Sequence, residues 1–170
     1  MELHKGQQAV VDRAARFNVV WVGRQWGKGV LAGHLAEKPG SILLIPQGFE
    51  YTRECCPATE GALCGRSASR IIVDEAPRVR DLARLFRTAI LPSIVDIRGD
   101  VWFLGTALDT DLYSEKASDF LKLFRRGLDG EPGWMSYRAS SKENPAFPTE
   151  MLAEWVGSPE MVKQEFLVGS

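Results

Sequence analysis

The stretch Val19-Val-Trp-Val-Gly-Arg-Gln-Trp-Gly-Lys-Gly29 joins a short apolar run to a glycine-containing loop that ends on Gly27-Lys28. The apolar run predicts a β-strand, and the loop predicts a turn into a helix that begins at Lys28. Such a loop exposes backbone N–H groups at a helix amino terminus, where they and the helix dipole attract an anion. The stretch therefore predicts a phosphate-binding loop, with Lys28 directed at the outer phosphates of a nucleotide.

This loop departs from the common P-loop pattern G-x-x-x-x-G-K-[ST] at two positions. Val22 stands where the pattern has glycine, and Gly29 stands where it has serine or threonine. The hydroxyl that is missing at position 29 ordinarily coordinates Mg²⁺. An ordinary turn after a strand is the alternative interpretation, so the prediction depends on the rest of the chain.

Length and composition indicate one globular domain. The chain has 170 residues, of which 45% are hydrophobic and 25% are charged, close to the averages for soluble domains. No apolar run reaches the length of a membrane span and no signal peptide is recognisable, so we expect a soluble, cytosolic protein without a membrane partner. The net charge of −1 leaves DNA binding to a local basic face. Three cysteines and two histidines fit neither a disulfide framework nor a zinc cluster.

Strands and helices alternate along the chain, which predicts an α/β fold with a mainly parallel sheet. Strands are predicted at 17–22, 41–46, 70–73, 100–104 and 134–138. Helices are predicted at 3–17, 28–37, 80–90, around Phe120, Leu121 and Phe124 facing inward, and at 149–156 and 159–167. Pro92 is expected to end the helix at 80–90, and 47–69 is expected to be loop with a short helix.

Three candidate functional segments follow predicted strands, namely Gly23–Gly29, Asp74-Glu75 and Gly105-Thr106. Because ligands of such sheets bind at the carboxyl ends of the strands, these segments are expected to share one site. Asp74 is placed to hold Mg²⁺ directly or through a water, and Glu75 to orient and deprotonate an attacking water. The alternative is that the two acids merely begin a loop.

Four segments, taken in order, resemble the ATPase domain of large terminase subunits, the DNA-packaging motors of tailed bacteriophages. They are Arg16–Lys28, Ile71–Ala76, Phe103–Thr106, and Asn144-Pro145 followed by Gln164-Glu165. The P-loop of that family also lacks the first glycine and carries an arginine and an aromatic residue before Gly-Lys. The resemblance implies a P-loop NTPase of the ASCE type, with helices on both faces of the sheet, ATP as fuel, Mg²⁺ as cofactor and double-stranded DNA as cargo.

The resemblance also implies roles for single residues. Arg24 resembles the arginine that senses the γ-phosphate, and Gln7 (or Gln8) the glutamine that contacts adenine. Asp74 resembles the Mg²⁺ acid and Glu75 the catalytic base, while Gly105-Thr106 resembles the motif that couples hydrolysis to movement. The nucleotide would be surrounded by Gly23, Arg24, Gln25, Trp26, Gly27, Lys28, Gly29 and Val30. For Thr106 the alternative is a cap of the next turn.

A stripe of arginines at Arg80, Arg84 and Arg87 has two interpretations. It contacts DNA phosphates or the nucleotide of a neighbouring subunit, or it is a solvated helix face. We also expect an ATPase core at 1–140 and the start of a small helical lid or linker subdomain at 141–170, with the family's nuclease domain absent. Asn144-Pro145 could equally form a plain turn.

By resemblance, the expected function is Mg²⁺-dependent ATP hydrolysis that drives double-stranded viral DNA into a procapsid, slowly in the isolated domain. The implied partners are a homo-oligomeric ring of this chain, the portal and the small terminase subunit, in the host cytoplasm. Two other functions stay open. One is a nucleotide-binding structural module without turnover, degenerate at Gly29, that binds DNA or a capsid partner, and the other is an unrelated helicase-like P-loop motor.

Overall fold

The computed structural model places a six-stranded parallel sheet at the centre of the molecule. It describes residues 2–46, 55–106, 115–148 and 150, with the backbone alone at 115–118. The strands are β1 Phe17–Val22, β2 Ser41–Ile45, β3 Cys56–Pro57, β4 Arg70–Val73, β5 Asp100–Thr106 and β6 Trp134–Ala139. Their order across the sheet is β3-β2-β4-β5-β1-β6, and all five pairings are parallel. The predicted parallel α/β sheet is confirmed, and the two-residue β3 is an addition to it.

The α-helices are α1 Lys5–Asp12, α2 Lys28–Ala36, α3 Glu60–Leu63, α4 Leu82–Leu85, α5 Leu91–Val95 and α6 Glu115–Leu128. Short 3₁₀ helices follow at Ala76–Arg78 and Ser141–Glu143, and a π-helix spans Phe86–Ile90. The first helix is shorter than the predicted 3–17, because Asn18 holds the chain in a turn before β1. The amide of Asn18 accepts from the Ala15 N–H at 2.8 Å and donates to the Ala15 carbonyl at 2.9 Å.

Two apolar clusters cover the two faces of the sheet. Consecutive residues of a strand point to opposite faces, so Val19 of β1 belongs to one cluster and Val20 to the other. The cluster around Val19 includes side chains of α3 to α6, and the cluster around Val20 includes side chains of α1 and α2. Helices therefore lie on both faces, as predicted.

The helix predicted at 80–90 with an end at Pro92 is wrong at both ends. The helical segment begins at Leu82, and it continues through the π-helix into α5 as far as Val95. The Leu91 N–H bonds to the Phe86 carbonyl, five residues back. This wider turn shifts the register of hydrogen bonds in front of Pro92, which has no N–H to donate, so the proline is accommodated inside the helical segment.

Two further predictions are settled in part. In α6 the buried side chains include Phe120, Leu123 and Phe124, whereas Leu121, predicted to face inward, is half-buried. The short helix expected within 47–69 is α3, while the predicted helices at 149–156 and 159–167 lie outside the described residues apart from position 150. Within the described part of the chain, no helix combines the length and apolarity that crossing a membrane requires.

Candidate active site

The three candidate segments meet at the carboxyl edge of the sheet. The loop after β1, Glu75 after β4 and Thr106 at the end of β5 line one cleft of about 540 Å³, within the usual range for a small-molecule site. Because β5 lies between β1 and β4, the loop and the acids face each other across its last residue, Thr106. The cleft is lined by Gly23, Arg24, Gln25, Trp26, Gly27, Lys28, Gly29, Glu75, Arg78 and Thr106. Val30, also predicted, lies half-buried one position further along α2.

The backbone of the loop alternates in the sign of φ, which is the pattern of an anion-binding nest. Gln25 has φ +59° and Gly27 has φ +98°, both in the left-handed region, and α2 begins directly afterwards at Lys28. A Cβ at Gly27 would lie 2.6 Å from the Gln7 amide nitrogen, so both φ and space require glycine there. Val22 is fully buried and pairs with Thr106, so it belongs to the strand.

Side chains from outside the loop bond its outward-facing carbonyls. Four consecutive carbonyls are engaged, those of Arg24 with the Ser141 hydroxyl, Gln25 with Asn144 Nδ2 at 2.6 Å, Trp26 with His4 Nε2 at 2.8 Å, and Gly27 with Gln7 Nε2 at 2.8 Å. The Trp26 side chain is itself fully buried, with its ring edge-on to His4 at 5.0 Å. The loop is thus fixed on the side of its carbonyls by two residues that precede it in the chain and two that follow it.

Lys28 lies between the two acids. Its Nζ is 2.8 Å from Glu75 Oε1 and also contacts Asp74 Oδ1. The Asp74 side chain is fully buried and accepts from the Glu75 N–H at 2.9 Å, while Glu75 is 19% exposed toward the cleft. Glu75 has φ +49°, an uncommon conformation for a residue other than glycine and one that often marks functional sites. Thr106 Oγ1 lies 3.5 Å from Glu75 Oε1, at the limit of a hydrogen bond.

The residues at this edge fit a magnesium ion that is shared with phosphates. Among the described residues no group of three or more His, Cys, Asp or Glu side chains forms a metal cage. Mg²⁺ in nucleotide sites takes one or two carboxylates, and substrate phosphates and waters complete its shell. The buried carboxylate of Asp74 opposite the loop suits that arrangement. Gly29 offers no oxygen, but a Cβ at this position would meet no atom within 4 Å, so the space for a hydroxyl or a water is present.

Gln7, predicted to contact adenine, is 2% exposed and uses both ends of its amide within the protein. Its Nε2 donates to the Gly27 carbonyl, and its Oε1 accepts from the His4 N–H at 2.9 Å. Gln8 lies on the exposed side of α1, where it bonds to Asp12 at 2.8 Å. Contact with adenine stays a prediction. The contact that the structure describes is the hydrogen bond from Gln7 to the loop backbone.

Gly105 has a structural reason for being glycine. A Cβ there would lie 2.7 Å from the Phe120 ring of α6 and 2.8 Å from Pro77, which follows the acids by two residues. The lack of a side chain at Gly105 therefore lets the Phe120 ring of α6 and Pro77 pack closely against β5. A role in coupling hydrolysis to movement stays a prediction.

Arg80, Arg84 and Arg87 are exposed and lie outside the cleft, so their DNA or neighbour contacts stay predictions. Arg84 forms an ion pair with Glu60 at 2.9 Å. Two arginines line the cleft, Arg24 and Arg78, and the sequence analysis missed Arg78. Arg78 lies three residues after Glu75, one turn along the 3₁₀ helix. This spacing from the acid is the sequence feature that could have predicted its place in the cleft.

The segment after β6 adds a second layer behind the loop. Glu143 accepts from the indole N–H of Trp26 at 3.4 Å and from the hydroxyl of Tyr137 at 3.1 Å. Burial, together with the charge and the hydrogen bond of Glu143, raises the pKa of Tyr137 to about 12. The phenol therefore stays protonated and keeps donating at neutral pH.

The chain is similar in structure to the ATPase domain of the large terminase of Thermus phage P74-26. The comparison gives a TM-score of 0.70 with 17% sequence identity, and it covers 97% of this chain and 92% of that one. A mutant of the same domain with one arginine replaced by alanine gives the same TM-score and identity, with 97% and 93% covered. No protein-family model matches the sequence, and a search of curated proteins finds no match. The chain thus has the fold of a large-terminase ATPase domain, which confirms the predicted fold class.

Proposed function

We propose that this chain is a Mg²⁺-dependent ATPase of the large-terminase type. The observation that carries the proposal is the position of Lys28, at the amino terminus of α2 and within 2.8 Å of Glu75, beside the cleft. A lysine so placed can exchange its carboxylate partners for the phosphates of ATP. The likeness in fold to a terminase ATPase domain supports the choice of ATP, although fold alone does not determine activity.

In this proposal the loop and its cations bind the triphosphate. The N–H groups at the start of α2 face the anion, and the helix dipole adds a favourable field. Arg24, Lys28 and Arg78 bring three cationic side chains to the cleft. Arginine suits phosphate oxygens because its planar fork donates two parallel hydrogen bonds. Bound Mg²⁺ would lie beside Asp74 and supply positive charge to the β- and γ-phosphate oxygens.

Glu75 is proposed as the base of the hydrolytic step. When Lys28 turns to the phosphates, Glu75 Oε1 loses its ammonium partner and is free to accept a proton from water. The water oxygen then forms a bond to the γ-phosphorus while the bond from that phosphorus to the leaving ADP oxygen breaks, in line. The products are ADP and inorganic phosphate, and the proton from water passes through Glu75 to solvent. Thr106, at the end of β5, is close enough to Glu75 to keep the carboxylate in place.

A phosphate-release assay on two variants tests the chemistry. Glu75→Gln keeps the shape of the side chain and removes the base, so we expect ATP binding to persist while the rate falls about 10²- to 10⁴-fold. Lys28→Ala removes a charged donor, so we expect ATP affinity to fall about 10- to 100-fold. Glu37→Gln, at the exposed carboxyl end of α2 and outside the cleft lining, is the control and should leave both quantities unchanged. Equal rates for wild type and Glu75→Gln would refute the assignment of the base.

Gly29 favours one alternative function. Because the chain lacks the hydroxyl ligand at this position, a nucleotide-binding structural module without turnover is the second candidate. Zero phosphate release by wild type, with and without DNA, together with retained ATP binding, would support the module and reject the ATPase.

Double-stranded DNA is the proposed cargo, and a homo-oligomeric ring with the portal and the small terminase subunit is the proposed assembly in the host cytoplasm. The exposed Arg80, Arg84 and Arg87 are the candidate contacts with DNA phosphates. We expect double-stranded DNA to stimulate ATP hydrolysis, and the triple Arg→Ala variant to lose stimulation while it keeps the basal rate. ATP-driven strand separation of a forked duplex would instead indicate a helicase-like motor.

A further inference from the structure

We infer that His4, Gln7, Ser141 and Asn144 act as a carbonyl clamp, a set of positioning residues that holds the phosphate-binding loop in its anion-binding conformation. The clamp is defined by its four side-chain hydrogen bonds to the carbonyls of residues 24–27. This inference rests on the proposed function for its ligand, a polyphosphate, and it adds residues to which that function assigns no such role.

The direction of the loop carbonyls explains why such a clamp matters. In a trans peptide unit the C=O of one residue and the N–H of the next point in opposite directions, so a carbonyl held toward the protein turns that N–H toward the cleft. The N–H of Trp26 is the exception, because it donates to the Gly23 carbonyl at 3.3 Å. A carbonyl that rotates into the cleft would place a partial negative charge against a phosphate. The four side-chain hydrogen bonds therefore keep the partial negative charges of these carbonyls away from the ligand.

The half of the clamp that precedes the loop is rigid because its side chains support each other. His4 Nδ1 accepts from the Gly6 N–H at 3.1 Å and the Gln7 N–H at 3.4 Å, which caps α1. With that nitrogen as acceptor, Nε2 carries the proton that is donated to the Trp26 carbonyl at 2.8 Å. Gln7 closes the capping box and reaches Gly27 with its amide nitrogen. Both ring nitrogens and both amide atoms are therefore committed.

The other half of the clamp comes from the segment after β6. Ser141 is fully buried and begins the 3₁₀ helix Ser141–Glu143, and Asn144 follows that helix. Their partners in the loop lie 117 and 119 positions earlier in the chain. Glu143 between them bonds to the Trp26 indole, which ties the same segment to the loop a third time. This segment therefore contacts the loop of the candidate phosphate site directly.

The experiment compares two ligands, ATP and inorganic tripolyphosphate, which has the phosphates and lacks adenine. Gln7→Ala, Ser141→Ala and Asn144→Ala each remove one donor of the clamp and add no charge. For each we expect affinity for both ligands to fall in parallel by about 3- to 10-fold, the effect of one ordinary hydrogen bond. Matched controls are Asp12→Ala and Ser140→Ala, because Asp12 bonds to Gln8 on the exposed side of α1 and Ser140 makes no side-chain capping bond. Both controls should bind like wild type.

Separate outcomes distinguish the clamp from other roles. If Gln7→Ala loses affinity for ATP and keeps it for tripolyphosphate, Gln7 contacts adenine and the clamp is wrong at that residue. If Asn144→Ala, at a half-buried position, binds both ligands like wild type, the clamp is overturned. Loss of ligand affinity with an unchanged unfolding midpoint supports positioning over a general loss of stability.

A second measurement needs no ligand, so it separates failure of the clamp from failure of the proposed function. Hydrogen–deuterium exchange of the free protein reports on the peptide that spans 23–31, where Val30 and Leu31 donate to the Gly27 carbonyl at 3.0 and 3.1 Å. We expect faster exchange there in Gln7→Ala and Asn144→Ala, and wild-type exchange in the two controls. Unchanged exchange in the clamp variants refutes the clamp, whether or not the wild type binds nucleotide.

Discussion

Replacing Gly29 by serine tests whether the missing hydroxyl limits the site. Gly29 is the second residue of α2, and a Cβ there would meet no atom within 4 Å, so the substitution has no steric cost. Serine is a better helix former than glycine by about 0.5 kcal/mol, which at about 2–4 °C per kcal/mol raises the unfolding temperature by about 1–2 °C. A hydroxyl ligand also replaces one ordered water on the metal, which saves up to about 2 kcal/mol of immobilisation entropy. We therefore expect ATP to bind about 3- to 10-fold more tightly at saturating Mg²⁺.

The control for this change is Gly29→Ala, which adds the same Cβ and improves helix propensity without an oxygen. Calorimetric titration of ATP at several Mg²⁺ concentrations, on both variants and wild type, separates the two effects. The alanine variant should gain stability while its Mg²⁺ dependence stays that of wild type. If the serine and alanine variants bind Mg·ATP equally, the metal does not lie next to position 29, and the proposed arrangement with Asp74 is refuted.

Three further predictions concern other parts of the molecule. Gly105→Ala places a methyl group 2.7 Å from the Phe120 ring, so urea unfolding should show a loss of about 1–3 kcal/mol, and an unchanged midpoint would contradict the packing. Arg78→Ala should weaken ATP binding about tenfold or more in the same titration, with Arg78→Lys intermediate, whereas full affinity would place Arg78 outside the phosphate contacts. Burial raises the pKa of Asp100, but the hydrogen bonds and charges of Arg70 and Lys38 outweigh it and hold that pKa below its ordinary value. The stabilisation is therefore present above the unfolded pKa, roughly pH 4, and is lost as the pH falls below it through the lowered folded pKa, so wild type should lose its advantage over Asp100→Asn as urea unfolding is followed to pH values below about 4.

The sequence predicts the sheet well because buried parallel strands are short, continuous apolar runs. The runs at 17–22, 41–46 and 70–73 each became a strand, with the last residue of the second run left out. The position of the candidate site follows from the same pattern, since the carboxyl ends of parallel strands share one edge. Lys28, Asp74 and Glu75 could be placed together on that argument alone, and the structure brings them into contact.

What the sequence does not predict depends on contacts between distant segments or on local register. Pro92 predicts a helix end, because the sequence pattern around it does not indicate the π-helix that accommodates it. The strand β3 has two residues, too few for any periodicity. The bonds of His4 and Ser141 to the loop join segments 22 and 117 positions apart, and neither residue belongs to a motif. Such contacts become visible only when the chain is folded.

The attachment of Ser141 and Asn144 to the loop carbonyls has a consequence that follows from thermodynamic linkage. If the clamped loop binds a polyphosphate more tightly than the released loop by some factor, then the bound ligand favours the clamped state of residues 141–144 by the same factor. The reciprocity needs no movement of the sheet, because the two hydrogen bonds connect the sites directly. On this linkage, a ligand in the cleft would strengthen the attachment of residues 141–144 to the loop, and breaking that attachment would lower the affinity of the cleft by the same factor.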